Sequence, residues 1–173
     1  RMTQETQPLA RIRRYRYNVH GDQVREEGPR GGITSHVYDA LGRKVQSTLA
    51  DGSQRTFSYD AVGNRITQVD GLGHLTRYGY DDLNRKVSQV DPILDVPIEQ
   101  RWTYDAQGNE LTHTDRRGIV TSKTYDLENR LLSESRDGLL RVRHSYDALG
   151  NLIDRQDANG NRTRYTYDAA QRK

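Results

Sequence analysis

Cysteine is absent from this 173-residue chain, and methionine, tryptophan and phenylalanine each occur once. No disulfide or thiolate metal site is therefore available, while an exported location stays open. Large apolar side chains are scarce: Leu, Ile, Val and Phe together supply 34 residues, and mean hydropathy is −1.01. That share, about one fifth, lies at the border where a chain ceases to bury enough apolar surface to order itself. No apolar run approaches the ~18 residues of a membrane-spanning helix. Charge of one sign is not in great excess either. The net charge is +3, and the 27 Lys and Arg are dispersed, which gives solubility without a concentrated nucleic-acid footprint. The chain starts at Arg1 with neither an initiator Met nor a signal peptide, and is expected to be a piece of a longer protein.

What is present is placed with regularity. Eight tyrosines, Tyr17, Tyr38, Tyr59, Tyr80, Tyr104, Tyr125, Tyr146 and Tyr167, recur at intervals of 21, 21, 21, 24, 21, 21 and 21 residues. The five other aromatic residues, Tyr15, Phe57, Tyr78, Trp102 and Tyr165, each lie two residues before one of these. A disordered polar chain has no reason to keep two such columns. A fixed period over the whole chain marks a repeat architecture.

The residues leading to each Tyr alternate, as in Arg162-Thr163-Arg164-Tyr165-Thr166-Tyr167. That is the period of a strand, and it puts both rings of a pair on one face. Asp follows the Tyr at seven of the eight starts, and Asn18 at the other; either side chain opens a turn by accepting from backbone N–H groups further on. Four after the Tyr stands Gly (Gly21, Gly42, Gly63, Gly108, Gly150) or Asn (Asn84, Asn129), the residues that tolerate positive φ. Seven after it stands an apolar residue: Val24, Val45, Ile66, Val87, Leu111, Leu132 or Ile153. A second Gly follows at about the fourteenth place, at Gly31, Gly52, Gly73, Gly118, Gly138 and Gly160. Each repeat is therefore two short strands and two turns, and no segment holds the apolar period of a helix. The predicted fold is all-β, an antiparallel meander. In it the tyrosines line up two strands apart, ~9.6 Å, and stack into a column with the Val, Ile and Leu of intervening strands between them.

Two stretches depart from the period. Residues 1–12 carry no repeat signal and are expected to be a tail or a disrupted repeat, with the array over 13–173. The repeat from Tyr80 holds three extra residues within Asp91-Pro92-Ile93-Leu94-Asp95-Val96-Pro97-Ile98. The two prolines predict a protruding loop there. Its Ile93, Leu94, Val96 and Ile98 are suited to touch a partner or, more simply, to tuck onto the sheet edge.

Candidate chemistry is thin. The recurring Asp residues are a repeat apart, whereas paired catalytic carboxylates must converge, so a turn role explains them better. Asp157-Ala158-Asn159-Gly160-Asn161 is similar to the opening of a calcium loop, yet Arg162 stands where the obligate Gly belongs. His20, His36, His74, His113 and His144 lack ligand spacing. Arg11, Arg13, Arg14 and Arg16, interleaved with Tyr15 and Tyr17, suit phosphate or a sulfated glycan, but alternation divides them between two faces. No catalytic, cofactor-binding or metal residue is assigned, and no cofactor is expected.

The motif Tyr-Asp-x-x-Gly-Asn/Arg with an apolar residue two further on, as in Tyr59-Asp60-Ala61-Val62-Gly63-Asn64-Arg65-Ile66, resembles the YD or Rhs (rearrangement hot spot) repeat. The resemblance covers residues from about Arg13 to Lys173, eight starts in register. The family includes bacterial Rhs polymorphic toxins, the BC component of Tc toxin complexes, wall-associated proteins and teneurins. It implies a spiralling β-shell that encloses a C-terminal effector until delivery, as part of an exported or cell-surface protein. The implied partners are the rest of the parent polypeptide, its enclosed effector and components of a delivery system. Toxin members carry an aspartyl-type self-cleaving segment after the repeats; Asp91-Pro92 lacks its Gly context and lies mid-array. The alternative is an adhesion module binding glycan or a cell-wall polymer through solvent-facing Tyr, Trp102 and Arg. Open sheet edges are expected to make the isolated piece self-associate.

Overall fold

The computed structural model describes the backbone of residues 2–7, 11–93 and 96–173, and the side chains of residues 12–91 and 98–173. Every regular element among the described residues is a β-strand. The chain divides into two halves, residues 1–84 with 90–97, and residues 85–89 with 98–173. The first half holds β1 (Met2–Gln7), β2 (Arg11–Tyr17), β3 (Gln23–Glu27), β4 (Ile33–Tyr38), β5 (Lys44–Thr48), β6 (Gln54–Tyr59), β7 (Arg65–Val69) and β8 (Leu75–Tyr80). β9 (Lys86–Ile93) and β10 (Val96–Tyr104) contribute to both. The second half holds β11 (Glu110–Thr114), β12 (Val120–Tyr125), β13 (Leu131–Arg136), β14 (Leu139–Tyr146), β15 (Leu152–Asp157) and β16 (Arg162–Arg164). Within each half, strands pair antiparallel with their neighbours in sequence. The fold is the all-β antiparallel meander that the repeat pattern predicts.

The turns form for local reasons. After Tyr38, the Asp39 N–H donates to Arg43 O at 2.9 Å and the Gly42 N–H to Asp39 O at 3.0 Å. Gly42 takes φ 74°, as a three-residue hairpin loop ending in the left-handed region requires. Asn84 and Asn129 fill the same slot at φ 60° and 62°. The far-end turns at residues 28–32, 49–53, 70–74, 115–119 and 157–161 have the same build, for example Leu49 N–H to Ser53 O at 2.9 Å. One differs. Gly138 lies thirteen rather than fourteen residues after Tyr125, and Asp137 and Gly138 sit at φ 48° and 75°, the two-residue loop typical of Asp-Gly. A register shift between Glu134 and Ser135 accommodates the missing residue.

The apolar residue seven after each Tyr has a role that periodicity did not disclose. Val37 pairs with Gln46, but Tyr38 pairs with Lys44, so Val45 is an extra residue in its strand. Val24, Ile66, Leu111, Leu132 and Ile153 are extra in the same way. A β-bulge thus recurs opposite the Tyr, where two residues face one and the local twist increases. Val45, two before Ser47, which pairs with His36, falls on the face of His36 and Tyr38.

A core in the usual sense is missing. No apolar side chain among the described residues is buried; only Ser47, at 5% exposure, and Asp91, at 8%, are. Each half is a sheet with an aromatic face and an opposite face mainly of Ser, Thr, Gln and Arg, on which Ile33, Val37 and Val120 stand singly exposed. Met2–Gln7, in the stretch without a repeat signal, pair with β2 from Met2↔Arg16 to Gln7↔Arg11. The insertion after Tyr80 is not a protruding loop. It lengthens strands, since β9 runs to Ile93 and β10 begins at Val96, giving 8 and 9 residues. Leu94, and the side chains of Ile93 and Val96, lie outside the described residues, while Ile98 is half-buried.

Gly63 has φ 104°, and a methyl group placed on its Cα would meet only open space. Gly63→Ala will therefore lower stability by ~1–2 kcal/mol through backbone strain alone, measured by urea unfolding. Asn84→Gly in the equivalent slot will cost no more than ~1 kcal/mol, because the relaxed positive φ offsets the lost Asn64–Asn84 side-chain bond.

Candidate functional site

Antiparallel pairing does not hold successive repeats together along their whole length. Between β3 and β4 the ladder covers Arg25↔Ser35 to Glu27↔Ile33 and stops short of Tyr38. Between β5 and β6 it covers Gln46↔Thr56 to Thr48↔Gln54. At this end the bulged strand offers a backbone carbonyl that no strand partner takes up. The next Tyr supplies the donor. Its hydroxyl donates to Gln23 O from Tyr38 (2.9 Å), Lys44 O from Tyr59 (2.8 Å), Arg65 O from Tyr80 (3.1 Å) and Lys86 O from Tyr104 (2.9 Å). Tyr125 to Glu110 O (3.2 Å), Tyr146 to Leu131 O (3.0 Å) and Tyr167 to Leu152 O (3.0 Å) continue the series. The acceptor is always the sixth residue after the preceding repeat Tyr.

The Asp beside the Tyr builds the turn that aims it. In Asp39, Oδ1 accepts from the N–H groups of Leu41 and Arg43, each at 2.9 Å, and Oδ2 accepts from Arg43 Nε at 2.7 Å. Asp147 uses Leu149 and Asn151 N–H and then the Asn151 amide, at 3.0, 2.8 and 3.0 Å. These bonds hold the carboxyls below the usual Asp range. In Asp147 the Asn151 amide acts most and its backbone N–H next; in Asp39 the Arg43 backbone N–H leads. Sequence reasoning missed the residue five after the Tyr. Its signal was the Asn/Arg that follows Gly in the motif.

Where that residue is Arg, it also reaches the next repeat. Arg43 Nη1 donates to Asp60 O at 2.9 Å while its guanidinium lies 4.9 Å from the Tyr59 ring centre. Arg85 does the same to Asp105 O, at 2.7 Å, and to the Tyr104 ring, at 4.9 Å. Arg130 lies 4.8 Å from the Tyr146 ring. Where it is Asn, the amide reaches the Asn in the following turn, as Asn64 to Asn84 and Asn109 to Asn129, both at 2.7 Å. The tyrosines recur in register along one face, each on the equivalent acceptor of the preceding repeat, without ring-on-ring contact between them. Among the described residues the ring pairs are His36–Tyr38, Trp102–His113 and His144–Tyr146. Rings two strands apart are too distant to touch, and at Tyr59, Tyr104 and Tyr146 a guanidinium lies against the ring.

The remaining candidates resolve into structural contacts. Asp157 Oδ1 accepts from Asn159 and Asn161 N–H, both at 2.9 Å, so the calcium-like stretch is another Asp turn. His74 bonds Asp70 at 3.0 Å, His36 bonds Ser47 at 2.9 Å, and His113 stacks on Trp102 at 4.8 Å. His144 approaches Leu131 O at 3.2 Å, beside the Tyr146 hydroxyl; His20 stands in the Asn18 turn, where its N–H bonds Asn18. Arg13 and Arg14 pair with Glu26 (2.5 Å) and Glu27 (3.3 Å) on opposite faces. No group of three or more His, Asp or Glu among the described residues converges on a point.

This seam, repeated along the chain, coincides with a family match: the RHS Repeat pattern fits residues 38–74, 59–92, 104–139 and 146–173. The chain belongs to the RHS repeat family. A search of the curated proteins finds no match. Among solved structures, the RHS repeat chain is similar to TcdB2-TccC3-Cdc42 over 98% of its length, at 17% identity and TM-score 0.68. It is similar to TcdB2-TccC3 without its hypervariable C-terminal region over 96%, at 21% identity and TM-score 0.69. It spans 12% and 10% of those chains. At such identities the likeness is one of fold.

Tyr59→Phe removes one donor from the seam and will cost ~1 kcal/mol. A double-mutant cycle with Arg43→Met will show a coupling of ~0.5–1 kcal/mol. The Asp turns add a pH dependence. Their carboxyls titrate lower folded than the ordinary value of 3.8, so the unfolded chain binds the proton first on acidification. Their stabilisation is complete above that value and is lost as pH falls through and below it. Melting temperature will drop steeply below pH ~4, and Asp147→Asn will flatten that slope.

Proposed function

We propose that this RHS repeat array is a segment of wall in a β-shell that encloses and protects a C-terminal toxin effector until delivery. It acts as part of a larger exported polypeptide and has no catalytic role of its own. The observation that carries the reading is the engagement of the aromatic face with its own sheet. Each of the 13 aromatic side chains is half-buried, and seven Tyr hydroxyls are bonded to backbone carbonyls of the preceding repeat. An adhesion module would need those rings and hydroxyls open to a glycan. A wall needs continuous pairing, lateral locks and a largely polar surface that limits non-specific apolar adhesion, and the face opposite the aromatic one supplies it.

Two measurements test this. In the full-length parent protein, the region beyond the repeats will resist added protease. Ala substitution of Tyr59 and Tyr146 together will expose it to cleavage; unchanged protection would count against a wall built on the tyrosine seam. The isolated 173-residue polypeptide, with a strand edge at β16, will sediment as concentration-dependent oligomers.

A further inference from the structure

The Ser, Thr and Arg face carries a charge arrangement that the seam does not explain. Arg16 on β2 and Arg25 on β3 are direct cross-strand partners. Like charges so placed destabilise a sheet. Arg14, two pairs along and next on the same face, faces Glu27 and bonds it at 3.3 Å. Together Arg14, Arg16, Arg25 and Glu27 line a shallow pocket of about 290 Å3. Neither Arg16 nor Arg25 has a hydrogen-bond or ion-pair partner among the described residues. The β1 positions in register with Arg16 and Arg14 are Met2 and Gln4, which carry no carboxylate. On its other side Arg25 is in register with Ser35.

The aromatic face treats its cations differently. Arg13 is paired with Glu26 and Lys123 with Glu110. Arg65 lies over Tyr78 and Lys86 over Trp102. Arg55, Arg77 and Arg143 stand opposite Ser or Thr, whereas Arg16 and Arg25 are two guanidinium side chains set directly against each other, and such local conflicts mark function more often than chance.

We propose that Arg16 and Arg25 form a seat for the carboxylate of an Asp or Glu side chain in an extended, acidic polypeptide lying on this face. Two guanidiniums in fork geometry match a carboxylate, which accepts from both without losing its planar contact. Glu27 shows that the pocket accommodates that group, since Arg14 already holds it. The Glu27 charge disfavours a phosphate dianion in the same space. Ser35, Gln46 and Thr48, in register along the same face, offer hydroxyl and amide partners for peptide backbone. The carboxylate seat follows from this geometry; its occupation by polypeptide rests on the shell reading.

The test uses the whole 173-residue chain and a fluorescent hexaglutamate peptide, with anisotropy read at low and moderate salt. Binding is expected, weakening as salt rises. Arg16→Ser with Arg25→Ser will weaken it at least tenfold, and Lys44→Ser on the aromatic face less than twofold. Relief of the repulsion will also raise the melting temperature of the double variant, which separates loss of a ligand seat from loss of the fold. Absence of peptide binding by the unaltered chain, or equal loss in the Lys44 variant, overturns the proposal. So does tighter binding of inorganic phosphate or an oligonucleotide than of the peptide. Failure here with protease protection intact removes the seat and leaves the wall; peptide binding without protection does the reverse.

Discussion

The structure depends on one hydrogen bond repeated from end to end: a tyrosine hydroxyl closing on a carbonyl that the strand ladder leaves open. The β-bulge makes the opening, because the additional apolar residue bends its strand away from the next repeat. The Asp turn places the tyrosine so that the ring spans the gap. Remove the bulge and the carbonyl pairs normally; remove the turn and the hydroxyl has no fixed aim. Bond, bulge and turn therefore require one another, which accounts for their recurrence together from repeat to repeat.

A sheet with no buried apolar side chain among its described residues finds much of its stability elsewhere than in a hydrophobic core. Net contributions of ~1 kcal/mol per hydrogen bond and a few tenths to one for each cross-strand or cation–π contact are individually small. They are added once per repeat and chiefly between neighbours, as in other quasi-one-dimensional arrays. Such an arrangement leaves the opposite face with short cross-strand bonds, such as the hydroxyl pairs Thr103–Thr112 and Thr124–Ser133. That difference lets a polar, arginine-bearing surface coexist with a firmly locked aromatic one.

Much of this was legible in the sequence. The period, the strand pattern, the Asp-opened turns and the positive-φ slots at Gly and Asn all follow from residue type and spacing, and Asn84 and Asn129 adopt the conformation their places demanded. Three things were not legible. The tyrosine acceptor is a main-chain atom supplied by Gln23, Lys44, Arg65, Lys86, Glu110, Leu131 or Leu152, so no side chain announces it. The bulge leaves the residue count between repeats unchanged, so a spacing argument sees only a strand. The insertion after Tyr80 contains two prolines that signal a loop, yet strand pairing prevailed and extended β9 and β10.

The lock from Tyr104 still lands on the sixth residue after the preceding repeat tyrosine, Lys86, although that repeat is three residues longer. The joint is thus blind both to the identity of the residue it grips and to growth at the opposite end of the hairpin. Modules coupled by such a universal connector are interchangeable. Duplication, deletion or recombination between them lengthens, shortens or reshuffles the array without spoiling any junction, so the length of the array is free to change faster than the rule by which it is joined.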